Sequence, residues 1–124
     1  MYLLIDLSSR DDLHLALFDE QSIFEEHYEG KNRKLLLCMD RLFATRHLRK
    51  EEIQGIMVVV GAGGFTNTRI GTTVANAFAY AYHIPLLAVT VDQVSDIQKL
   101  LPELLHQPRG QYISATYSGE PNIT

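Results

Sequence analysis

The chain has 124 residues, 46% hydrophobic and 21% charged, which is typical of one folded domain and not of a disordered segment. Its formal net charge of −4 excludes the clustered positive surface that binds nucleic acid directly. No apolar run approaches the ~20 residues of a membrane-spanning helix, and the N-terminus lacks the basic segment of a signal peptide. Together with a single cysteine, Cys38, these features predict a cytoplasmic protein without internal disulfides and without a membrane partner.

The first part of the chain predicts three strands. The apolar run at residues 2–6 is typical of a buried strand that ends at Asp6, and alternation over residues 13–18 predicts a second strand. The polar segment 19–21 is short enough to turn the chain into a third strand near residues 22–28. Consecutive strands joined by short turns predict an antiparallel meander.

The middle of the chain alternates helices with buried strands. Unbroken apolar runs at residues 55–60 and 86–90 predict two buried strands. The segment between them predicts a helix with Thr66 as its N-cap. An earlier helix is predicted by an apolar stripe at helical spacing, which consists of Leu35, Leu36, Met39, Leu42 and Phe43.

The end of the chain gives weaker patterns. Residues 92–107 predict a helix interrupted at Pro102, and residues 111–117 predict a last edge strand. The whole order predicts an α/β fold, in which an antiparallel meander and parallel strands with crossover helices form one mixed sheet of five or six strands.

A glycine-rich loop containing Gly61, Gly63 and Gly64 follows a predicted strand and precedes a helix. Such a loop exposes backbone N–H groups to an anion, and Thr66 and Arg69 would lie beside it. Only half of a GxGxxG pattern is present, and the Lys-Ser/Thr pair of a P-loop is absent. The loop is therefore either a weak anion or nucleotide site, or a tight turn without a ligand.

Few other residues indicate chemistry. Asp6 either acts in such a site or serves in a turn, since no second carboxylate is marked as its partner. The five histidines show no HExxH or paired-ligand spacing, so the sequence predicts no metal site. Cys38 is predicted to be a buried thiol because no base accompanies it. The sequence thus predicts no catalytic residues and no cofactor.

The second helix carries small residues four positions apart, at Gly71, Ala75 and Ala79. This flank would allow close approach of another helix, either the first helix of the same chain or a helix of another protein. A chain this small has few elements with which to cover the helix, which favours the second interpretation.

The segments IDLSS (residues 5–9), GAGGFTNTRIG (residues 61–71) and IPLLAVT (residues 84–90) resemble segments of the TsaB (YeaZ-like) family. The sequence IDLSS at residues 5–9 is similar to the IDTS/T opening of that family, and GAGGFTNTRIG at residues 61–71 is similar to its GPGSFTGLRIG signature. IPLLAVT at residues 84–90 is similar to its IPLxxVSS segment. The resemblance implies an actin-like, RNase H-like lobe of the ASKHA superfamily. It also implies a role in the synthesis of threonylcarbamoyladenosine in tRNA, as the non-catalytic subunit that pairs with TsaD and is joined by the ATPase TsaE.

The chain departs from this pattern in two ways. Ala62, Gly64, Asn67 and Thr68 replace proline, serine, glycine and leucine of the signature. The changes at Ala62 and Gly64 relax the loop, and the change at Gly64 also removes a hydroxyl that a nucleotide loop would use. The chain is also expected to lack the second lobe of longer members. We therefore expect one lobe over residues 1–124, with its core in residues 1–91 and a shortened remnant of the second lobe in residues 92–124.

These observations lead to one expectation and one alternative. The chain is expected to be a scaffold subunit that binds a TsaD-like catalytic subunit through its two helices, with a TsaE-like ATPase, indirect contact with tRNA, and a homodimer when the partner is absent. The alternative is a stand-alone nucleotide- or small-molecule-binding enzyme that uses Asp6 and the loop at residues 61–66. The expected interface residues are Leu36, Met39, Asp40, Phe43, Gly71, Thr72, Ala75, Asn76 and Ala79.

Overall fold

A computed structural model describes residues 1–9, 11–30, 34–61 and 65–110. The predicted edge strand at residues 111–117 and the loop residues Gly63 and Gly64 lie outside this described part of the chain.

Five strands in the described residues form one mixed sheet of order β3-β2-β1-β4-β5. The first three strands pair antiparallel, and β4 and β5 run parallel to β1, so the predicted α/β fold with a meander joined to parallel strands is confirmed. The strands are β1 (Tyr2–Ser9), β2 (Asp12–Phe18), β3 (Ile23–Glu29), β4 (Ile56–Val59) and β5 (Leu86–Val89).

The first strand is longer than its apolar run. It continues past Asp6 to Ser9, so the prediction that the strand ends at Asp6 is wrong. The pairing with β2 shifts register between Asp6 and Ser9. The Asp6 carboxylate accepts hydrogen bonds from the N–H and hydroxyl of Ser8, at 2.9 and 2.6 Å. These bonds allow a buried carboxylate to remain within the strand.

Three α-helices and two 3₁₀ segments, of 3 and 10 residues, are the other elements named in the described part of the chain. The α2 helix begins at Phe65, so Thr66 lies inside its first turn and not at the predicted N-cap. The last predicted helix is instead a 3₁₀ segment followed by α3, and Pro102 lies in the first turn of α3, where its missing N–H costs no helix bond. The elements are α1 (Leu35–Thr45), a 3₁₀ segment (Lys50–Glu52), α2 (Phe65–Tyr82), a 3₁₀ segment (Val91–Leu100) and α3 (Leu101–Leu105).

The sheet is covered on both faces. Helices α1 and α2 pack on one face, in a cluster that includes Ile5, Leu15 and Val58. The 3₁₀ segment Val91–Leu100 and α3 pack on the other face, against Leu4 and Met57. Because β1 is buried on both faces, its first four residues, Tyr2 to Ile5, form an unbroken apolar run, as expected for the central strand of a covered sheet.

Candidate functional site

A cluster of ionisable side chains lies on the face of the sheet that the 3₁₀ segment and α3 cover. Asp6 of β1 faces His14 of β2, its register partner, and Asp6 Oδ2 lies 3.2 Å from His14 Nδ1. The other ring nitrogen of His14, Nε2, lies 2.7 Å from Oε1 of Glu25 on β3. One imidazole thus bridges two carboxylates that come from the strands on either side of it.

The pKa values of Asp6 and His14 shift apart. The hydrogen bond to Asp6 is the main reason that the pKa of His14 is raised above its ordinary value of 6.5, against the effect of burial. Burial acts to raise the pKa of Asp6, but hydrogen bonds from His14 and Ser8 outweigh it and hold that pKa below 3.8. The pair therefore favours an imidazolium beside a carboxylate at mildly acidic pH.

A cavity of about 630 Å³ lies beside this cluster. Its walls include Asp6, His14 and Glu25 from the sheet, and Asp92 and Ser95 from the 3₁₀ segment. This volume lies within the range of small-molecule pockets. The cavity could hold a small ligand with groups that interact with carboxylates or with imidazole.

The glycine loop contributes little to this cavity in the described structure. Gly61 has a φ of +79°, a left-handed conformation that glycine adopts without strain. Arg69 is exposed on α2. Neither residue is among the described residues that line the cavity, so the structure does not bring Gly61 and Arg69 to Asp6 there. The side chain of Thr66 lies outside the described part of the chain.

The residues expected at a helix interface divide into two groups. Gly71 faces the sheet, since a Cβ built on it would lie 3.0 Å from Leu7 Cδ1. Leu36 and Asp40 are exposed, and Asn76 is half-buried. The remaining side chains are buried in the chain's own core, namely Met39, Phe43, Thr72, Ala75 and Ala79. The stripe of small residues on α2 is thus packed within this chain.

A groove of about 510 Å³ lies between α1 and α2 on the outer surface of the helical layer. Leu36, with 62% of its surface exposed, lies on the α1 side, and Thr73 and Ala77 line the α2 side. An ion pair between Asp40 Oδ1 and Lys50 Nζ, 3.1 Å apart, lies at the groove. The groove is mainly apolar with one charged pair, a composition suited to a protein–protein interface.

Sequence reasoning did not identify His14, Glu25 and His27 as neighbours. The structure stacks the rings of His14 and His27 with their centroids 4.4 Å apart and an angle of 2° between their planes. The two histidines are register partners on β2 and β3. A signal was present, because pairing Phe18 with Ile23 across the tight turn places His14 opposite His27. Motif searches along one strand could not show it.

The sequence of the chain matches a known protein family. The family model described as TsaD, tRNA N6-adenosine threonylcarbamoyltransferase, matches residues 26–115. No curated protein sequence matches the chain.

Among the residues that the structure describes, no helix is both long and apolar enough to cross a membrane.

Two solved structures from Pseudomonas aeruginosa share this fold. YeaZ is 27% identical and superposes with a TM-score of 0.64, covering 72% of this chain and 44% of its own. An uncharacterized protein with similarity to peptidase YEAZ is 25% identical, with a TM-score of 0.64, covering 73% of this chain and 44% of its own. The chain thus spans less than half the length of the two structures. Because the family model covers most of its 124 residues, the chain belongs to the TsaD family and is a YeaZ-like (TsaB-like) member of it.

Proposed function

We propose that this chain is a non-catalytic accessory subunit in the synthesis of threonylcarbamoyladenosine in tRNA. In this role it binds a TsaD-like catalytic subunit through the outer surface of α1 and α2, and a TsaE-like ATPase joins the complex. The family match and the likeness to YeaZ support the pathway. The net charge of −4 supports indirect contact with tRNA, because the partner would supply the positive surface.

The observation that carries the proposal is the groove between α1 and α2. Leu36, which lines the groove, is 62% exposed although it is large and apolar. Tyr80, which is on α2 but does not line the groove, is 79% exposed. Burial of such side chains on association contributes roughly 25 cal/mol per Å² of apolar surface. An apolar groove between helices is a common docking place for the apolar face of a partner helix, and the exposed Tyr on α2 is of a type that is enriched among interface hot spots.

The interface can be tested with exposed residues alone. Because Ala75 and Ala79 are fully buried, charged variants there would disturb the core and could not report on association. Leu36→Lys and Ala77→Lys alter the groove at exposed positions. Leu105→Lys places the same charge at an exposed position on α3, on the opposite side of the sheet, and serves as the control.

The measurement is calorimetric titration of each variant with the TsaD-like subunit of the same organism. We expect the groove variants to bind at least about tenfold more weakly, which corresponds to about 1.4 kcal/mol, and the control to bind like the unmodified chain. Light scattering after size exclusion would show whether the chain alone forms a homodimer through the same groove. Unchanged affinity of both groove variants would contradict this surface.

The cavity of about 630 Å³ that Asp6 lines favours a second candidate function, a stand-alone nucleotide- or small-molecule-binding enzyme. Asp6, with its lowered pKa, would remain a carboxylate there and could act as an acceptor of hydrogen bonds. Titration of the isolated chain with ATP or ADP and Mg²⁺ separates the two candidates. Tight binding or turnover by this chain alone would favour the enzyme, and no heat would favour the accessory subunit.

A further inference from the structure

Three metal-ligating side chains converge at the outer strands of the sheet. One ring nitrogen of His14, one of His27 and a carboxylate oxygen of Glu25 all lie within 4.8 Å of one another. His14 and His27 are register partners on β2 and β3. Glu25 precedes His27 by two residues on β3, so it lies on the same face of the sheet. The regular pairing of a β-hairpin thus fixes all three groups relative to one another.

Both histidines already have the outer contacts of metal-bound imidazoles. His14 Nδ1 lies 3.2 Å from Asp6 Oδ2, and His27 Nδ1 lies 2.6 Å from Asp12 Oδ2. A histidine that binds a metal generally donates its other ring N–H to a carboxylate, which fixes the tautomer and the orientation of the ring. With Nδ1–H donated in this way, Nε2 is the ring nitrogen that remains to bind a metal. At His14 the metal ion would displace the Nε2 proton, which the Glu25 carboxylate accepts in the metal-free chain.

The distances allow a metal to bind after small side-chain movements. His14 Nε2 and Glu25 Oε1 are 2.7 Å apart, a contact that a metal ion would replace. Ligand atoms about 2.0–2.2 Å from a tetrahedral zinc are roughly 3.3–3.5 Å apart, so the stacked rings must tilt toward one another. The side chains of His27 and Glu25 are 56% and 52% exposed, which leaves room for this adjustment.

We propose that His14, Glu25 and His27 form a binding site for a divalent transition metal ion of the Zn²⁺ class. Two imidazoles and one carboxylate suit Zn²⁺ better than Mg²⁺, which prefers oxygen ligands alone. Three protein ligands leave a fourth position open. His14 and Glu25 also line the cavity of about 630 Å³, so that position would be accessible to water or to a small ligand. Asp6 and Asp12 act as positioning residues. The proposal concerns this chain alone and does not depend on the proposed partner.

The site can be tested with the full chain after treatment with a chelator. Competition with a chromogenic chelator measures the affinity for Zn²⁺, and Co²⁺ in its place reports the coordination geometry through its visible absorption. We expect one Zn²⁺ per chain, a tetrahedral Co²⁺ spectrum, and no comparable binding of Mg²⁺. His27→Gln and Glu25→Gln each remove one ligand and should weaken Zn²⁺ binding by more than about tenfold, since even an outer-contact change costs about 10–100-fold.

A histidine elsewhere provides the matched control. His47 is exposed beyond the end of α1, on the opposite face of the sheet, and has a φ of +52°. His47→Asn removes an imidazole while keeping a residue that tolerates this conformation, and it should bind Zn²⁺ like the unmodified chain. Thermal melts in chelator should be similar for the variants because both ligand positions lie on an edge strand with exposed side chains.

Two results would overturn the proposal. The first is a Zn²⁺ affinity that His27→Gln and Glu25→Gln leave unchanged, which would place any bound metal elsewhere. The second is a Co²⁺ spectrum of the unmodified chain without tetrahedral bands, a readout that requires no variant. Asp12→Asn tests the positioning role of Asp12. This substitution should weaken Zn²⁺ binding, while the tetrahedral Co²⁺ spectrum should persist because no metal ligand is lost.

Discussion

His14 Nδ1 lies 3.2 Å from Asp6 Oδ2 across the β1–β2 pair, and both side chains are nearly buried. Glu25 and His27 of β3 also face the His14 ring, and Asp92 of the 3₁₀ segment lines the same cavity. The carboxylates of Asp6, Glu25 and Asp92 therefore lie around the His14 ring and its cavity. These negative charges favour the protonated form of His14 in the metal-free protein.

Stability of the metal-free chain should depend on pH through this pair. His14 has a raised pKa, so its contribution is fully present below 6.5 and is lost as the pH rises through its folded value. Asp6 has a lowered pKa, so its contribution is present above 3.8 and is lost as the pH falls through its folded value. The pair should stabilise most between these two values.

The predicted pH dependence can be checked by urea unfolding of the unmodified chain and of His14→Gln, both in the presence of a chelator. The difference in unfolding free energy between the unmodified chain and this variant should be largest at mildly acidic pH and should shrink toward alkaline pH. A difference that stays constant or grows as the pH rises would contradict the ion pair.

Much of the fold could be predicted because local patterns carry it. Alternation predicted β2, and unbroken apolar runs predicted the parallel strands β4 and β5. The end of β1 was mispredicted because an acidic residue usually ends a buried strand, whereas Asp6 is held inside it by hydrogen bonds from Ser8 and His14. The bond from His14 depends on a neighbouring strand, and local pattern alone does not show it.

The candidate site was harder to predict for a related reason. The stripe at Gly71 and Ala75 looked suited to another helix, but which face of α2 meets the sheet depends on the packing of the whole layer. Likewise, His14 and His27 are 13 positions apart and meet only through the register of the hairpin. Contacts between elements decide both cases.

Substitutions at Gly71 should show how closely α2 packs on the sheet. A Cβ at this position would lie 3.0 Å from Leu7 Cδ1 and 3.6 Å from Ile5 Cγ2. Gly71→Ala gains about 1 kcal/mol of helix propensity, which offsets a small movement of the Leu7 side chain, so we expect little change in stability. Gly71→Leu should destabilise by about 1–3 kcal/mol through overpacking. Thermal melts would compare the two variants, and equal stability would contradict the close approach.

A buried hydroxyl offers a stabilising change. Thr72 Oγ1 is buried and has no hydrogen-bond partner among the residues that the structure describes. Thr72→Val replaces this hydroxyl by a methyl group of similar size, so it should stabilise the fold by about 1 kcal/mol. Thr73 is exposed on the same helix, so Thr73→Val makes the same change without removing a buried polar atom. Midpoints of urea unfolding should therefore rise for the first variant alone. A lower midpoint for Thr72→Val would show that the hydroxyl is bonded.

The packing of α3 on the sheet can be tested with two neighbouring leucines. Leu104 has no exposed surface and contacts Gly55, where a Cβ would lie 2.9 Å from Leu104 Cδ2, whereas Leu105 is 52% exposed. Leu104→Ala should destabilise the chain by about 2–5 kcal/mol, since it removes a buried side chain and leaves a cavity. Leu105→Ala should change stability by less than about 0.5 kcal/mol. Both variants make the same change in helix composition, so the difference between their unfolding free energies reports burial alone. If the two variants were equally stable, α3 would not cover this face of the sheet in solution.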